Sequence, residues 1–239
     1  MEKSLIMNTK ALSKEQWTKW KEQLGLEAKQ IQPGFHLSSD VLEKMAVYTE
    51  LLLHWNRAYN LTAIDTYEGI RKLHILDSLT IAPYIIGRYI LDVGSGAGFP
   101  GIPLALTLPQ YKFVLLDSNN KKVNFLRHVV RNLSLSNVEV FQERAETFNY
   151  YENNNIDKNI CFNTIVTRAT GSILEIVAAT KHLCCANGQW LFMKGKNPES
   201  EIQEMTSCKF AVTITTQCLK IPGEEVSRNL VCIKNQIQK

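Results

Sequence analysis

The sequence predicts an α/β fold, with a mostly parallel seven-stranded sheet, helices on both of its faces, and an N-terminal helical extension. From residue 89 onward, short apolar runs alternate with amphipathic stretches, a pattern typical of repeated βαβ units. Before residue 85, apolar side chains recur at helical spacing instead. We therefore divide the chain into an extension, residues 1–85, that packs on a main domain, residues 86–239.

The extension is predicted to contain three helices. The first starts at Ser13, which forms a capping-box pattern with Gln16 three positions later. The second covers "SSDVLEKMAVYTELLLHWNRAYN", where apolar residues recur near helical spacing, and the third covers "YEGIRKLHILDSLTIAPYI".

Seven apolar runs in the main domain predict the strands. Five of them, "YILDVG", "KFVLLD", "NVEVFQ", "FNTIVTRA" and "GQWLFMKG", follow one another in that order, and helical stretches separate several of them. The last two, "KFAVTITTQCL" and "RNLVCIKN", flank "PGEE" without a helix between them. This arrangement predicts a C-terminal antiparallel hairpin that adds one antiparallel strand to the parallel sheet.

The composition limits which partners the protein could have and in which cellular compartment it could work. A formal net charge of +4 permits a polyanionic partner without requiring one. The six cysteines form no C-x-x-C pair, which disfavours a zinc site. The chain shows neither a signal-peptide pattern nor an apolar run of about 20 residues. We expect a reduced, cytoplasmic protein that does not contact membranes and whose cysteines pack as small hydrophobic residues.

A glycine-rich turn follows the first predicted strand and suggests a cofactor. Gly94, Gly96 and Gly98 do not complete the dinucleotide fingerprint G-x-G-x-x-G, because Phe99 stands at its last position. Asp92 ends the strand, and we expect its carboxylate to face the same cleft, where it would repel a diphosphate and favour a cation. S-adenosylmethionine, with a sulfonium and an ammonium group, fits this description.

The next two strand ends supply groups for the rest of that cofactor. Asp117 ends the second strand about 20 residues beyond the glycines, where a carboxylate can accept both ribose hydroxyls. Arg144, Ala145 and Glu146 follow the third strand, at the place expected for adenine. The alternative interpretation is that Asp92 and Asp117 cap the helices after their strands, and that the tripeptide only starts a helix.

The ordered set of motifs resembles a known family. "LDVGSGAGFPGIPLAL", with "WNRAYNLTAI" and "HILDSL" before it and "LLDSNNKKVNFLRHV", "RAE", "VTRA" and "MKGK" after it, is similar to the rRNA small subunit methyltransferase G family, also called the glucose-inhibited division protein B family. The similarity runs from about Leu51 to the C-terminus. It implies a Rossmann-like class I methyltransferase that uses S-adenosylmethionine, releases S-adenosylhomocysteine, and methylates N7 of one guanine in 16S ribosomal RNA of the small subunit.

The resemblance also implies roles for individual residues. Gly94 and Phe99 belong to the loop beneath the methionine part of the cofactor, Asp117 to the ribose, and Ala145 and Glu146 to the adenine. The predicted cofactor set is completed by Asp92, Gly96 and Arg168.

Two departures from the family pattern are visible. The family usually has an Arg-His pair where the last strand begins, whereas this chain has Arg228 and Asn229. A role of that histidine is therefore not carried over. The asparagine-rich segment 150–159 is longer than is typical of the family and is predicted to be an exposed loop.

The implied reaction needs positioning more than acid–base chemistry. Guanine N7 carries a lone pair and no proton, so we assign no general base and predict positioning roles for Arg168, Lys194 and His74. An arginine that ends an inner strand is costly to bury without a partner, which favours a function for Arg168. His74 and Asp77 lie three apart on a predicted helix, and the alternative is that they only pack beneath the sheet.

Basic residues could hold the RNA. Lys194 and Lys196 end the fifth strand, and further candidates are Arg57, Lys121, Lys122, Arg127 and Arg131. For the last four, a solvated helix face is the alternative. We expect a monomer that acts on the small ribosomal subunit or its RNA.

Three other functions stay open from the residues alone. A methyltransferase could act on another RNA or on a small molecule. A nicotinamide-dependent oxidoreductase is disfavoured by Phe99 and Asp92, and an RNA-binding module without a cofactor is disfavoured by the intact glycines and Asp117.

Overall fold

The computed structural model describes residues 11–150, 161–168, 170–195, 198–208, 210–225 and 227–236. Most of the predicted loop at 150–159 lies outside the described residues, as does Lys196. The helices are α1 (Lys14–Ala28), α2 (Ser39–Tyr59), α3 (Tyr67–Gly69, the π-helical turn Ile70–Leu76, and Asp77–Leu79), α4 (Gly101–Thr107), α5 (Asn120–Asn132), α6 (Ile173–Thr180) and α7 (Glu199–Ser207). The strands are β1 (Tyr89–Val93), β2 (Lys112–Leu116), β3 (Val138–Phe141), β4 (Phe162–Arg168), β5 (Cys184–Lys194), β6 (Val212–Lys220) and β7 (Ser227–Asn235).

Helices α1 to α3 confirm the predicted helical character of the extension. The Ser13 hydroxyl accepts the Gln16 N–H, and the Gln16 side chain accepts the Ser13 N–H, so the predicted capping box is present. Helix α2 ends at Asn60, which adopts the left-handed conformation (φ 50°) that asparagine tolerates better than most residues. Helix α3 includes a π-helical turn, a feature that is often found at functional sites.

The sheet confirms the predicted α/β class. Its strand order is β3-β2-β1-β4-β5-β7-β6. Strands β1 to β5 pair in parallel, and β7 pairs antiparallel with both β5 and β6. The chain reverses its strand order between β1 and β4, and this switch point is where α/β sheets of this kind bind ligands, at the carboxyl ends of their strands.

Each face of the sheet has its own apolar core. Helices α1, α2, α4 and α5 bury residues against one face, which we call the extension face. Helices α6 and α7 cover the other, the α6 face. Side chains alternate between faces along β1: Ile90 belongs to the core of the extension face, and Leu91 and Val93 belong to that of the α6 face. The division of the chain at residue 85 stays a prediction, because the extension and the sheet share one core.

One pair of cysteines departs from the expected reduced state. Cys161 and Cys185 form a disulfide between the beginnings of β4 and β5. Phe162 pairs with Cys184 in this parallel ladder, which brings the two adjacent residues together. The expectation of reduced cysteines is therefore wrong for this pair, whereas Cys184 and Cys232 are buried as small hydrophobic residues.

Among the described helices, none has the combination of length and apolar character that a bilayer-crossing helix requires.

Candidate cofactor-binding site

A cleft of about 400 Å³ opens at the carboxyl ends of β1, β2, β3 and β4. Its lining includes three residues that the sequence predicted to bind the cofactor, namely Asp117, Ala145 and Glu146. Ala145 lies in a turn after β3, in which the Arg144 carbonyl accepts the Phe148 N–H at 3.0 Å, and its contact with adenine stays a prediction. The full lining is Val93, Leu116, Asp117, Ser118, Glu143, Arg144, Ala145, Glu146, Thr170, Gly171, Glu175, Ile176 and Ala179.

The charges around this cleft favour a cationic ligand. Among the described residues that line it, four have carboxylates (Asp117, Glu143, Glu146 and Glu175) and one, Arg144, has a guanidinium group. The lining therefore carries a formal charge of −3, from four negative groups and one positive group. A diphosphate at this place would be repelled, and a sulfonium would be attracted.

The glycine turn approaches the cleft through conformations that favour glycine. Gly94 and Gly96 have φ values of 68° and 59°, in the left-handed region. A Cβ on Gly94 would overlap the side chain of Thr170, which lines the cleft. A Cβ on Gly96 would have no atom of a described residue nearer than 3.8 Å, so the backbone there has room for a ligand.

Asp117 links the glycine turn to the start of α5. One carboxylate oxygen accepts the Gly96 N–H at 2.8 Å, and the other accepts the Asn119 N–H at 2.8 Å. Each oxygen of an ionised carboxylate has a second lone-pair site, so Asp117 can still accept two hydroxyl groups from a ligand. The interactions with the helix start and with a ligand are thus compatible.

Asp92 does not face the cleft, and that expectation is wrong. The residue is fully buried and, by the alternation along β1, shares the extension face with Ile90. Its Oδ2 accepts the Gly101 N–H at 2.9 Å at the start of α4, as the capping alternative predicted, and its Oδ1 has no hydrogen-bond partner among the described residues. Burial raises the pKa of Asp92 to about 7, although the hydrogen bond from Gly101 opposes this shift.

Phe99 anchors the glycine turn to the extension. The residue is 3% exposed, and its ring stacks on that of His74 with centroids 4.4 Å apart. The Arg168 guanidinium lies over the same ring, 5.1 Å from its centroid. The backbone of Phe99 thus belongs to the turn, as predicted, but its side chain contacts α3 and β4 and is not part of the cleft lining.

Arg168 ends β4, as predicted, and hydrogen-bond acceptors on α3 compensate for the burial of its guanidinium group. Its guanidinium donates to the Leu73 carbonyl at 3.1 Å, to Asp77 at 3.3 Å and to Nδ1 of His74 at 3.0 Å. The partner that the burial of an arginine requires is therefore Asp77. A positioning role for Arg168 stays a prediction, and the contacts show that such a role acts through α3 and Phe99.

His74 is held as a neutral imidazole. Nδ1 lies 3.0 Å from an Arg168 nitrogen, which can only donate, and 3.1 Å from the Leu73 carbonyl, while Nε2 lies 2.7 Å from the Thr62 hydroxyl. Burial and the nearby Arg168 lower the pKa of His74 to about 3. A neutral histidine in this place orients groups and does not transfer protons near neutral pH.

Two residues of this region, Tyr48 and Arg228, were not predicted as site residues, whereas Asp77 was considered together with His74. The buried Asp77 carboxylate also accepts from Nε of Arg228 at 3.3 Å, so one acid joins α3, β4 and β7. Burial raises the pKa of Asp77, and the two guanidinium groups oppose that rise. The Tyr48 hydroxyl donates to the carbonyl of Ala97 in the glycine turn. Spacing along the chain gives no signal for contacts that span 49 to 151 residues.

Lys194 lies at the end of β5, as predicted, but its ammonium group already has protein partners. It donates to Glu201 at 2.8 Å and to the Gly171 carbonyl at 3.1 Å. Asn229, at the family's histidine position, donates to the Gly195 carbonyl at 2.8 Å. A contact between Lys194 and RNA stays a prediction.

The fold and cleft define a class of protein. The structure is similar to that of a putative O-methyltransferase from Klebsiella pneumoniae, with a TM-score of 0.56 and 12% identity, covering 93% of this chain and all of that one. It is also similar to a SAM-dependent methyltransferase from Aquifex aeolicus, with a TM-score of 0.51 and 16% identity, covering 69% of this chain and 92% of that one. The fold is that of S-adenosylmethionine-dependent methyltransferases.

Sequence comparison then specifies the family. The family described as rRNA small subunit methyltransferase G matches residues 41–231. Proteins named Ribosomal RNA small subunit methyltransferase G include one from Coxiella burnetii, 41% identical over 204 residues (85% of this chain, 94% of that protein). Another, from Legionella pneumophila, is 42% identical over 185 residues (77% of this chain, 83% of that protein). The chain belongs to the rRNA small subunit methyltransferase G family.

Proposed function

We propose that this chain transfers a methyl group from S-adenosylmethionine to N7 of a guanine in 16S ribosomal RNA of the bacterial small subunit. The observation that carries the proposal is the acidic cleft at the switch point of the sheet, in a chain of this family. We further propose that the enzyme works as a monomer in the cytoplasm, where its substrate is assembled.

The described residues fit the cofactor. Asp117 would accept the two ribose hydroxyls with its remaining lone pairs. Ala145, with its small side chain, and Glu146 would border the adenine. The turn at Gly94 and Gly96, where the backbone lies close to the cleft, would hold the methionine part.

S-adenosylmethionine supplies the methyl group as a sulfonium electrophile. The protein has to bring guanine N7 within about 3 Å of the methyl carbon and in line with the departing sulfur. Because N7 has no proton to lose, a neutral His74 and a hydrogen-bonded Arg168 are compatible with this chemistry. These two residues, stacked on Phe99, would fix the shape of the glycine turn and would not contact the base.

A methyl-transfer assay tests the proposal. The purified protein is incubated with methyl-labelled S-adenosylmethionine and small ribosomal subunits from cells that lack the modification, and the labelled base is mapped. We expect label at N7 of one guanine of 16S RNA. Label in another RNA or base, or in small molecules only, would support the alternative methyltransferase functions instead.

A further inference from the structure

Helix α5 concentrates positive charge on one side of the molecule. It carries four cations, Lys121, Lys122, Arg127 and Arg131, and no acidic residue. The side chains of Lys121, Arg127 and Arg131 are exposed. We call these three residues the α5 basic face.

Stability of the fold does not explain this charge. Within the described ranges, no carboxylate forms an ion pair with Lys121, Lys122, Arg127 or Arg131. Two of the four, Lys121 and Lys122, lie in the first turn of α5, where the helix dipole disfavours cations. A solvated face usually mixes both signs of charge, and this face does not.

A row of aromatic rings borders the basic face. Trp55 of α2 contacts the His128 ring of α5 with centroids 5.2 Å apart, and Tyr59 contacts Trp55 at 5.3 Å. Tyr59 is 44% exposed, so the row ends in a ring that is accessible to solvent. Cations beside accessible aromatic rings are the combination that binds single-stranded nucleic acids, by phosphate neutralisation and base stacking.

The basic face begins beside the cofactor cleft. Helix α5 starts three residues after Asp117, which lines the cleft. The Lys122 ammonium lies 4.0 Å from the place where a Cβ on Gly96 would be. A polynucleotide along α5 would therefore pass the edge of the cleft, within reach of the glycine turn.

We propose that the α5 basic face and Tyr59 bind the sugar-phosphate backbone and an unstacked base of the RNA next to the target guanine. This inference rests on the proposed function, because it deepens its substrate recognition. Charge complementarity selects a polyanion, and the aromatic row selects one with exposed bases.

Two double variants of equal charge test the proposal. Arg127→Gln with Arg131→Gln removes two cations from the α5 basic face. The matched control, Arg88→Gln with Lys112→Gln, removes two exposed cations near the amino ends of β1 and β2, at the opposite edge of the sheet. Thermal melts verify that both variants fold. Binding of unmodified 16S RNA fragments and of small subunits is then measured at several salt concentrations, together with calorimetry of S-adenosylhomocysteine.

The expected result is specific to α5. The α5 variant should lose about fivefold or more in RNA affinity near physiological salt, and the slope of log affinity against log salt should flatten by about 1.4. The control should stay within about twofold of wild type, and both should bind S-adenosylhomocysteine normally. Tyr59→Ser should also weaken RNA binding, without changing the salt slope.

Two outcomes would overturn the proposal. One is an equal loss in both double variants, which would show a general charge effect. The other is unchanged RNA binding in the α5 variant. In that case the α5 basic face does not bind RNA, and an acidic protein surface becomes the candidate partner of this helix. If the wild type binds RNA through α5 but does not bind S-adenosylhomocysteine, the proposed function fails and the surface assignment stands.

Discussion

At the scale of single residues, Asp92 shows how an acidic side chain next to a ligand site can serve the fold. Its carboxylate is fully buried and holds the start of α4 through Gly101. The folded-state pKa of about 7 lies above the ordinary value of 3.8, so the folded protein binds this proton more tightly than the unfolded chain does. The resulting stabilisation is complete below pH 4 and is lost as the pH rises through 7.

Asp92→Asn should remove this pH dependence. The difference in free energy of unfolding, wild type minus variant, should fall by roughly 2 to 3 kcal/mol between pH 5 and pH 8. Urea unfolding at several pH values measures it, and the other titrating groups cancel because both proteins share them. Parallel pH profiles would show that Asp92 is ionised throughout this range.

Gly94 offers a second test at this scale. Gly94→Ala should weaken S-adenosylhomocysteine binding at least tenfold, because its Cβ would displace Thr170 from the wall of the cleft. The control is Gly34→Ala, at a residue with a similar positive φ of 80° and no atom of the described chain within 4 Å of the added Cβ. Both variants should lose about 1 to 2 kcal/mol of stability from backbone strain. Equal cofactor affinity in the two variants would contradict this placement.

At the scale of elements, one buried acid connects three of them. Asp77 of α3 binds Arg168 at the end of β4 and Arg228 at the start of β7. The Arg168 guanidinium also lies over the ring of Phe99 in the glycine turn. The extension therefore holds the glycine turn through Asp77 and Arg168. The extension is thus a structural part of the site.

Asp77→Asn should therefore lower the stability of the folded protein. It leaves two largely buried guanidinium groups without their counter-charge, and we expect a loss of about 3 kcal/mol in free energy of unfolding. Asp40→Asn, which breaks an exposed pair with Lys44, should cost less than about 1 kcal/mol. Denaturant unfolding compares them, and similar losses in the two variants would argue against a structural role for the Asp77 cluster.

At the scale of the whole molecule, the disulfide is a testable feature. Alkylation of the denatured, unreduced protein should modify four cysteines, and all six after reduction. Reduction should also lower stability by about 3 kcal/mol, because the bond closes a segment with a sequence separation of 24. The double variant Cys161→Ser with Cys185→Ser should not respond to the reductant. Modification of six cysteines without reduction would contradict the bond.

The sequence predicted what depends on local pattern. The strands, the C-terminal hairpin and the presence of Asp117 and Ala145 in one cleft follow from apolar runs and from the rule that parallel strands end at one edge. The face on which Asp92 lies was predicted wrongly, because a strand places successive side chains on opposite faces and neighbouring elements decide which face is which. The partners of Arg168 lie more than 90 residues away on α3, and no periodicity reports such contacts.

The proposed methyl transfer requires the acidic cleft to be the site of the cofactor. Calorimetric titration with S-adenosylhomocysteine tests this directly, with Asp117→Asn as the site variant and Asp65→Asn, an exposed acid of the extension, as the control of equal charge. We expect one site per chain in the wild type and the control, and at least tenfold weaker binding in Asp117→Asn, because hydrogen bonds to a charged acceptor are lost. Absence of binding to the wild type, or equal binding by all three proteins, would contradict the account.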